Sequence, residues 1–126
     1  MVSRNGSSGL EEKRKYARLE KEFVMQYAVL VNSELPVAEP ELQGMVIDVG
    51  GGGLRFLTSE TIEKNVQLSI VLEFTGWKVE GNEWIHTKED SDRGVLKVLA
   101  RVMWGAPSPT VADKYEIGVC FFGRIQ

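Results

Sequence analysis

The sequence predicts an all-β domain, a closed or nearly closed antiparallel barrel. Several short apolar runs alternate with period two, and turn-forming residues separate them at intervals of about ten. No long stretch places apolar residues at i, i+3, i+4 and i+7, so only Leu10 to Arg18 has room for a helix. The 126 residues suffice for one domain with a real core and no disulfide or metal to staple it.

Each element follows from its own pattern. Residues 1–10, opening "MVSRNGSSG", form a polar Gly/Ser-rich stretch that reads as a flexible tail, and the domain is expected over 11–126. From Leu19 to Val31 the odd positions are Leu, Lys, Phe, Met, Tyr, Val and Val, against Glu20, Glu22 and Gln26, which makes a half-buried strand. "NSELPVAEPELQ" carries two prolines that cannot donate to a ladder, and reads as a loop. "GMVIDVG" and "GLRFLTS" are short strands on either side of four glycines, and "VQLSIVLEF" is apolar and β-branched enough for a central strand. Gly76 to Gly94 mixes Trp77 and Trp84 with a polar tip, and reads as a hairpin excursion. "VLKVLARVMW" places Leu96, Val98, Ala100, Val102 and Trp104 on one face, with Lys97 and Arg101 on the other. "GAPSPTVAD" is then a turn, and "KYEIGVCFFGRI" a last strand.

Composition narrows the function. The net charge is −3, with a pI near 5.2, which argues against a nucleic-acid polymer or an acidic membrane as partner; any anion site is local. No apolar run approaches the roughly 20 residues needed to cross a bilayer, and the start has no hydrophobic segment of the secretory kind, so neither membrane insertion nor secretion is expected and the location reads as cytoplasmic. The one cysteine, Cys120, lies in "IGVCFF" and reads as a small buried hydrophobe.

Two motifs have chemistry to offer. In "KRKYAR", Lys13 to Arg18, the guanidiniums of Arg14 and Arg18 are four residues apart; they either belong to a solvated basic segment or close around an anion, a task that suits their planar donor forks. In "IDVGGGGLRF", Asp48 precedes Gly50–Gly53. Glycines at a strand end permit positive φ and a turn that displays peptide N–H groups, while an ionised carboxylate accepts from paired N–H donors such as the N1/N2 edge of guanine. The alternative is a hairpin whose Asp caps its own turn. Neither a P-loop nor a dinucleotide fingerprint fits, for no Gly-Lys-Ser/Thr and no helix pattern follows.

Together, "RKYAR", "DVGGGG", "VLKVLARVMW" and "YEIGVCFFGRI" resemble the PilZ domain, a bacterial receptor for the second messenger cyclic di-GMP. The resemblance runs from about Glu11 to the C-terminus, apart from the Gly76–Gly94 insertion. It implies a six-stranded antiparallel β-barrel with a flexible N-terminal switch segment, no cofactor beyond the ligand, and a downstream bacterial protein partner. Its Arg-x-x-x-Arg motif falls on Arg14 and Arg18, and its Asp/Asn-x-Ser-x-x-Gly motif on Asp48, Gly50 and Gly53. Lys13 stands where members often carry another arginine. The ligand residues implied are therefore Lys13, Arg14, Arg18, Asp48, Gly50 and Gly53. Gly50 departs from the motif's serine; a lost hydroxyl bond costs about 0.5–1.5 kcal/mol, or roughly up to tenfold in affinity.

That departure supports a second reading, a degenerate domain that binds no nucleotide and serves as a protein adaptor in pilus, flagellar or chemotaxis machinery. Trp77 and Trp84 would then be exposed anchors, or else they pack on each other across a hairpin. Catalysis is the weakest reading. His86 is the only histidine and reads as a solvated loop residue; Glu89, Asp90 and Asp92 lack the spacing of a calcium loop and read as a solvated tip.

Overall fold

The computed structural model describes residues 22–30, 42–81 and 83–124. Eight strands follow in order: β1 (Phe23–Val29), β2 (Leu42–Val49), β3 (Gly53–Thr58), β4 (Gln67–Thr75), β5 (Trp77–Glu80), β6 (Glu83–His86), β7 (Arg93–Pro107) and β8 (Tyr115–Arg124). Six of them close an antiparallel barrel in the order β1-β2-β3-β8-β7-β4, and β5-β6 form a separate two-stranded sheet. Closure pairs β1 with β4 from Phe23↔Phe74 to Val29↔Leu68, so the barrel has no open edge. The expected barrel and its six strands are therefore present, with "VQLSIVLEF" paired on both sides as a central strand.

Alternation builds the core. Phe23, Met25 and Tyr27 of β1, Leu68, Ile70 and Leu72 of β4, and Val98, Ala100 and Val102 of β7 all point inward and are buried, joined by Val46, Leu54, Phe56, Ile117 and Val119. Burial of this set is the main driving force for closure. A polar contact beside it is satisfied: the Tyr27 hydroxyl and Thr58 Oγ1 are 2.9 Å apart.

The departures from the expected pattern have local causes. At the end of β1 the alternation breaks: Val29 is exposed and Leu30 buried, its N–H donating to Gln67 O at 2.9 Å. β7 runs on through Gly105–Pro107, residues expected in a turn, because they pair with Ile117, Glu116 and Tyr115. A bulge between Val102 and Trp104 turns Trp104 off the core face, leaving it exposed on the outside, where it lies over Gly118; a Cβ added there would come within 2.3 Å of its Nε1. Cys120 is exposed rather than buried, since the pleat points Val119 inward and Cys120 outward opposite Arg101. In the expected 32–43 loop, Leu42 and Gln43 already belong to β2. The helix considered over Leu10 to Arg18 and the tail boundary lie outside the described residues.

Candidate functional site

Asp48 owes its position to a bulge. The pairing of β2 with β3 runs Met45↔Leu57 and Val46↔Phe56, then shifts by one residue to Asp48↔Arg55 and Val49↔Leu54. Without the shift Asp48 would share the inward face of Val46; with it, Val46 and Ile47 are both buried and Asp48 turns outward. Its carboxylate therefore sits on the outer wall, half-exposed, immediately before the four glycines.

There it meets a residue that the motif reading missed. Arg55 donates from one terminal nitrogen to Asp48 Oδ2 at 3.3 Å and from the other to Glu116 Oε1 at 2.8 Å. One guanidinium thus links carboxylates from β2 and β8 across β3, with Glu116 only 10% exposed at the inner end and Asp48 47% exposed at the outer. The exposed half of this chain of contacts contributes at most about 1 kcal/mol, being well solvated, whereas the Glu116 half is the stronger, charge-assisted hydrogen bond. The signal for Arg55 was present in "GLRFLT", where alternation sends Leu54 and Phe56 inward and Arg55 outward. Its partner could be named only once the bulge and the β3–β8 register were known.

The glycine corner differs from the expectation of displayed amides and positive φ. Among the described residues the positive-φ glycines are Gly76 and Gly81, not Gly50–Gly53. The Gly50 N–H is spent inside the turn, donating to Gly53 O at 2.8 Å, and Gly52 O accepts from Phe121 N–H at 2.8 Å. What the corner requires is close approach: a Cβ on Gly53 would lie 2.0 Å from Val119 O, so β3 can pair with β8 here only without a side chain. Gly50 has no such constraint, for a Cβ there meets only Gly53 O at 3.8 Å.

The insertion folds back onto this corner. Trp77 and Val79 on β5 and Trp84 and His86 on β6 share one face of the hairpin, with Lys78, Glu80, Glu83 and Ile85 on the other. Trp77 and Trp84 are thus packed rather than exposed anchors, 6.3 Å apart edge to face, with Phe23 5.4 Å and 5.5 Å from them and Phe74 5.0 Å from Trp84. Trp84 Nε1 donates to Gly50 O at 3.1 Å. His86 is not a solvated loop residue: it stacks on Trp77 at 4.4 Å and its Nε2 is 2.6 Å from Glu22 Oε2. At the hairpin base Gly76 N–H donates to Asp92 O, and the Asp92 carboxylate faces Lys78 at 3.9 Å, while Glu89 and Asp90 are exposed as expected. Between hairpin and corner lies a cleft of about 340 Å³, lined by Gly51, Gly52, Val79, Trp84, Leu96 and Phe121 among others.

Of the six residues implied as ligands, Asp48, Gly50 and Gly53 are brought together at this corner. Lys13, Arg14 and Arg18 lie outside the described residues. Among the described residues no cluster of His, Cys, Asp and Glu could hold a metal ion, and no helix is long and apolar enough to cross a membrane.

Neither the comparison with curated proteins nor that with solved structures finds a match for this chain. A family model does match: that of the PilZ domain, over residues 12–126. The match takes in all eight strands, the Asp48–Gly53 corner and the basic segment before β1, and the chain belongs to the PilZ domain family.

Proposed function

We propose that this PilZ domain is a cytoplasmic receptor for cyclic di-GMP that passes the signal to a bacterial protein partner by a change of surface, and not by catalysis. The observation that carries the reading is the outward turn of Asp48 at the mouth of the glycine corner, in a family whose match also takes in Lys13, Arg14 and Arg18.

The chemistry is that of a dianion with two flat bases. Arg14 and Arg18 supply donor forks for phosphate and for the O6/N7 edge of guanine, and Lys13 adds charge without the stacking plane of a guanidinium. Asp48 accepts from guanine N1 and N2, the paired donors that an ionised carboxylate matches. Gly50 and Gly53 let the backbone come close to the base. Ordering of the segment before β1 over the ligand would cost conformational entropy and alter the face offered to a partner, which makes the domain a switch.

The adaptor reading rests on Gly50, which lacks the motif's hydroxyl. It loses Trp77 and Trp84 as anchors, since both are packed against Phe23; the exposed apolar side chains Met103, Trp104 and Phe122 on β7 and β8 would have to serve instead. Calorimetric titration with cyclic di-GMP decides between the two. Heat of binding, with amide shifts at Asp48–Gly53, is expected; no heat and no shift at high micromolar ligand would leave the adaptor.

A further inference from the structure

The β5–β6 hairpin reaches both the residue before β1 and the glycine corner, and the two contacts are made by neighbours on one strand face. At one end, His86 Nε2 and Trp77 Nε1 meet the same carboxylate oxygen, Glu22 Oε2, at 2.6 Å and 3.2 Å. Glu22 directly precedes β1, four positions after Arg18 in the chain. At the other end Trp84, two residues before His86, donates to Gly50 O, the carbonyl of the residue standing at the motif's serine position.

What lies between these contacts is stiff. Trp77 and His86 are a register pair stacked at 4.4 Å, Val79 pairs with Trp84, and both tryptophans pack on Phe23, itself the first residue of β1. Aromatic packing of this kind leaves few rotamers open, so a displacement at one end is transmitted to the other instead of being absorbed. The hairpin base is closed as well, by the bonds of Gly76 with Asp92 and of Thr87 and Lys88 with Gly76.

We propose that the insertion is a strut that sets the spacing between the entrance of β1 and the Gly50 corner before ligand arrives, with Trp84 and His86 as its positioning residues. The claim for ligand affinity rests on the cyclic di-GMP reading above; the claim for mechanical coupling does not. Preorganisation of this sort raises affinity by lowering the ordering cost of binding and adds no ligand contact.

Two variants of the full chain test it, each removing one donor while keeping a ring: Trp84→Phe at the corner end and His86→Phe at the Glu22 end. The first readout is ligand-free amide hydrogen exchange, with β4 amides reporting that the barrel is intact. His86→Phe is expected to speed exchange several-fold at Gly50–Gly53 as well as at Phe23, and Trp84→Phe to do so at Phe23 as well as at the corner. Changes confined to the substituted end would overturn the strut. The second readout is calorimetry, in which each variant is expected to bind cyclic di-GMP about three- to tenfold more weakly than wild type. Unchanged affinity in both would overturn the positioning role. Should wild type bind no cyclic di-GMP, the receptor reading falls, and the exchange experiment still decides the coupling.

Discussion

Arg55 holds Asp48 from the next strand, 3.3 Å from its Oδ2, while its other terminal nitrogen holds Glu116 at 2.8 Å. The pair orients the carboxylate outward at the corner where the family motif begins, and it ties that carboxylate to β8. Replacing Arg55 by Met removes the charge partner of Glu116, a group nine-tenths buried. A loss of about 1–3 kcal/mol is expected, towards the lower end because Arg55 is 42% exposed and water reaches the site. Urea titration of Arg55→Met measures it, and Arg55→Met/Glu116→Gln should recover much of the loss, since no buried charge is then left unpaired. An unshifted midpoint in the single variant would show that Glu116 is adequately solvated without Arg55.

Gly50→Ser should be accepted without strain. The position has no positive φ, and an added Cβ meets only Gly53 O at an ordinary 3.8 Å. The melting temperature should stay within about 3 °C of wild type. Affinity for cyclic di-GMP should rise, by roughly up to tenfold, as the motif's hydroxyl is restored. Equal affinities by calorimetry would mean that no ligand atom approaches this side chain.

Gly53→Ala has the opposite expectation, for its Cβ would sit 2.0 Å from Val119 O. The contact is with backbone, which cannot rotate away, so β3 must separate from β8 where Gly53 pairs with Cys120. A destabilisation of about 1–3 kcal/mol is expected, read as a lower midpoint in thermal or urea unfolding. Wild-type stability would mean that the corner opens at little cost.

Arg14→Ala should abolish most cyclic di-GMP binding, because a charge-assisted fork to phosphate is among the strongest contacts available to this ligand. The folded state should be unaffected, with an unchanged amide spectrum for the barrel strands. Wild-type affinity in this variant would remove Arg14 from the site and with it the clamp drawn from the basic segment.

Much of the barrel was legible because alternation is a local property. Met25 and Tyr27, Ile70 and Leu72, Val98 and Ala100 each declare the inward face of their own strand, and that rule holds wherever the pleat is regular. It failed at Val29, which lies at a strand end, and at Trp104, which lies beyond a bulge. At Cys120 the rule holds, for the pleat sends it outward, and the misjudgement came from its apolar neighbours.

The candidate site divides in the same way. The sequence by itself determined the fold class, the place of the Asp48–Gly53 corner and that of the hairpin excursion, since period-two patterning and glycine placement are written in neighbouring residues. Only the tertiary structure decided that Asp48 faces outward towards Arg55, that Arg55 reaches Glu116, and that Trp84 and His86 connect Gly50 with Glu22. Asp48 and Arg55 lie only seven residues apart but meet through a one-residue register shift, while the other contacts join residues far apart in the chain; both depend on how the strands pack together.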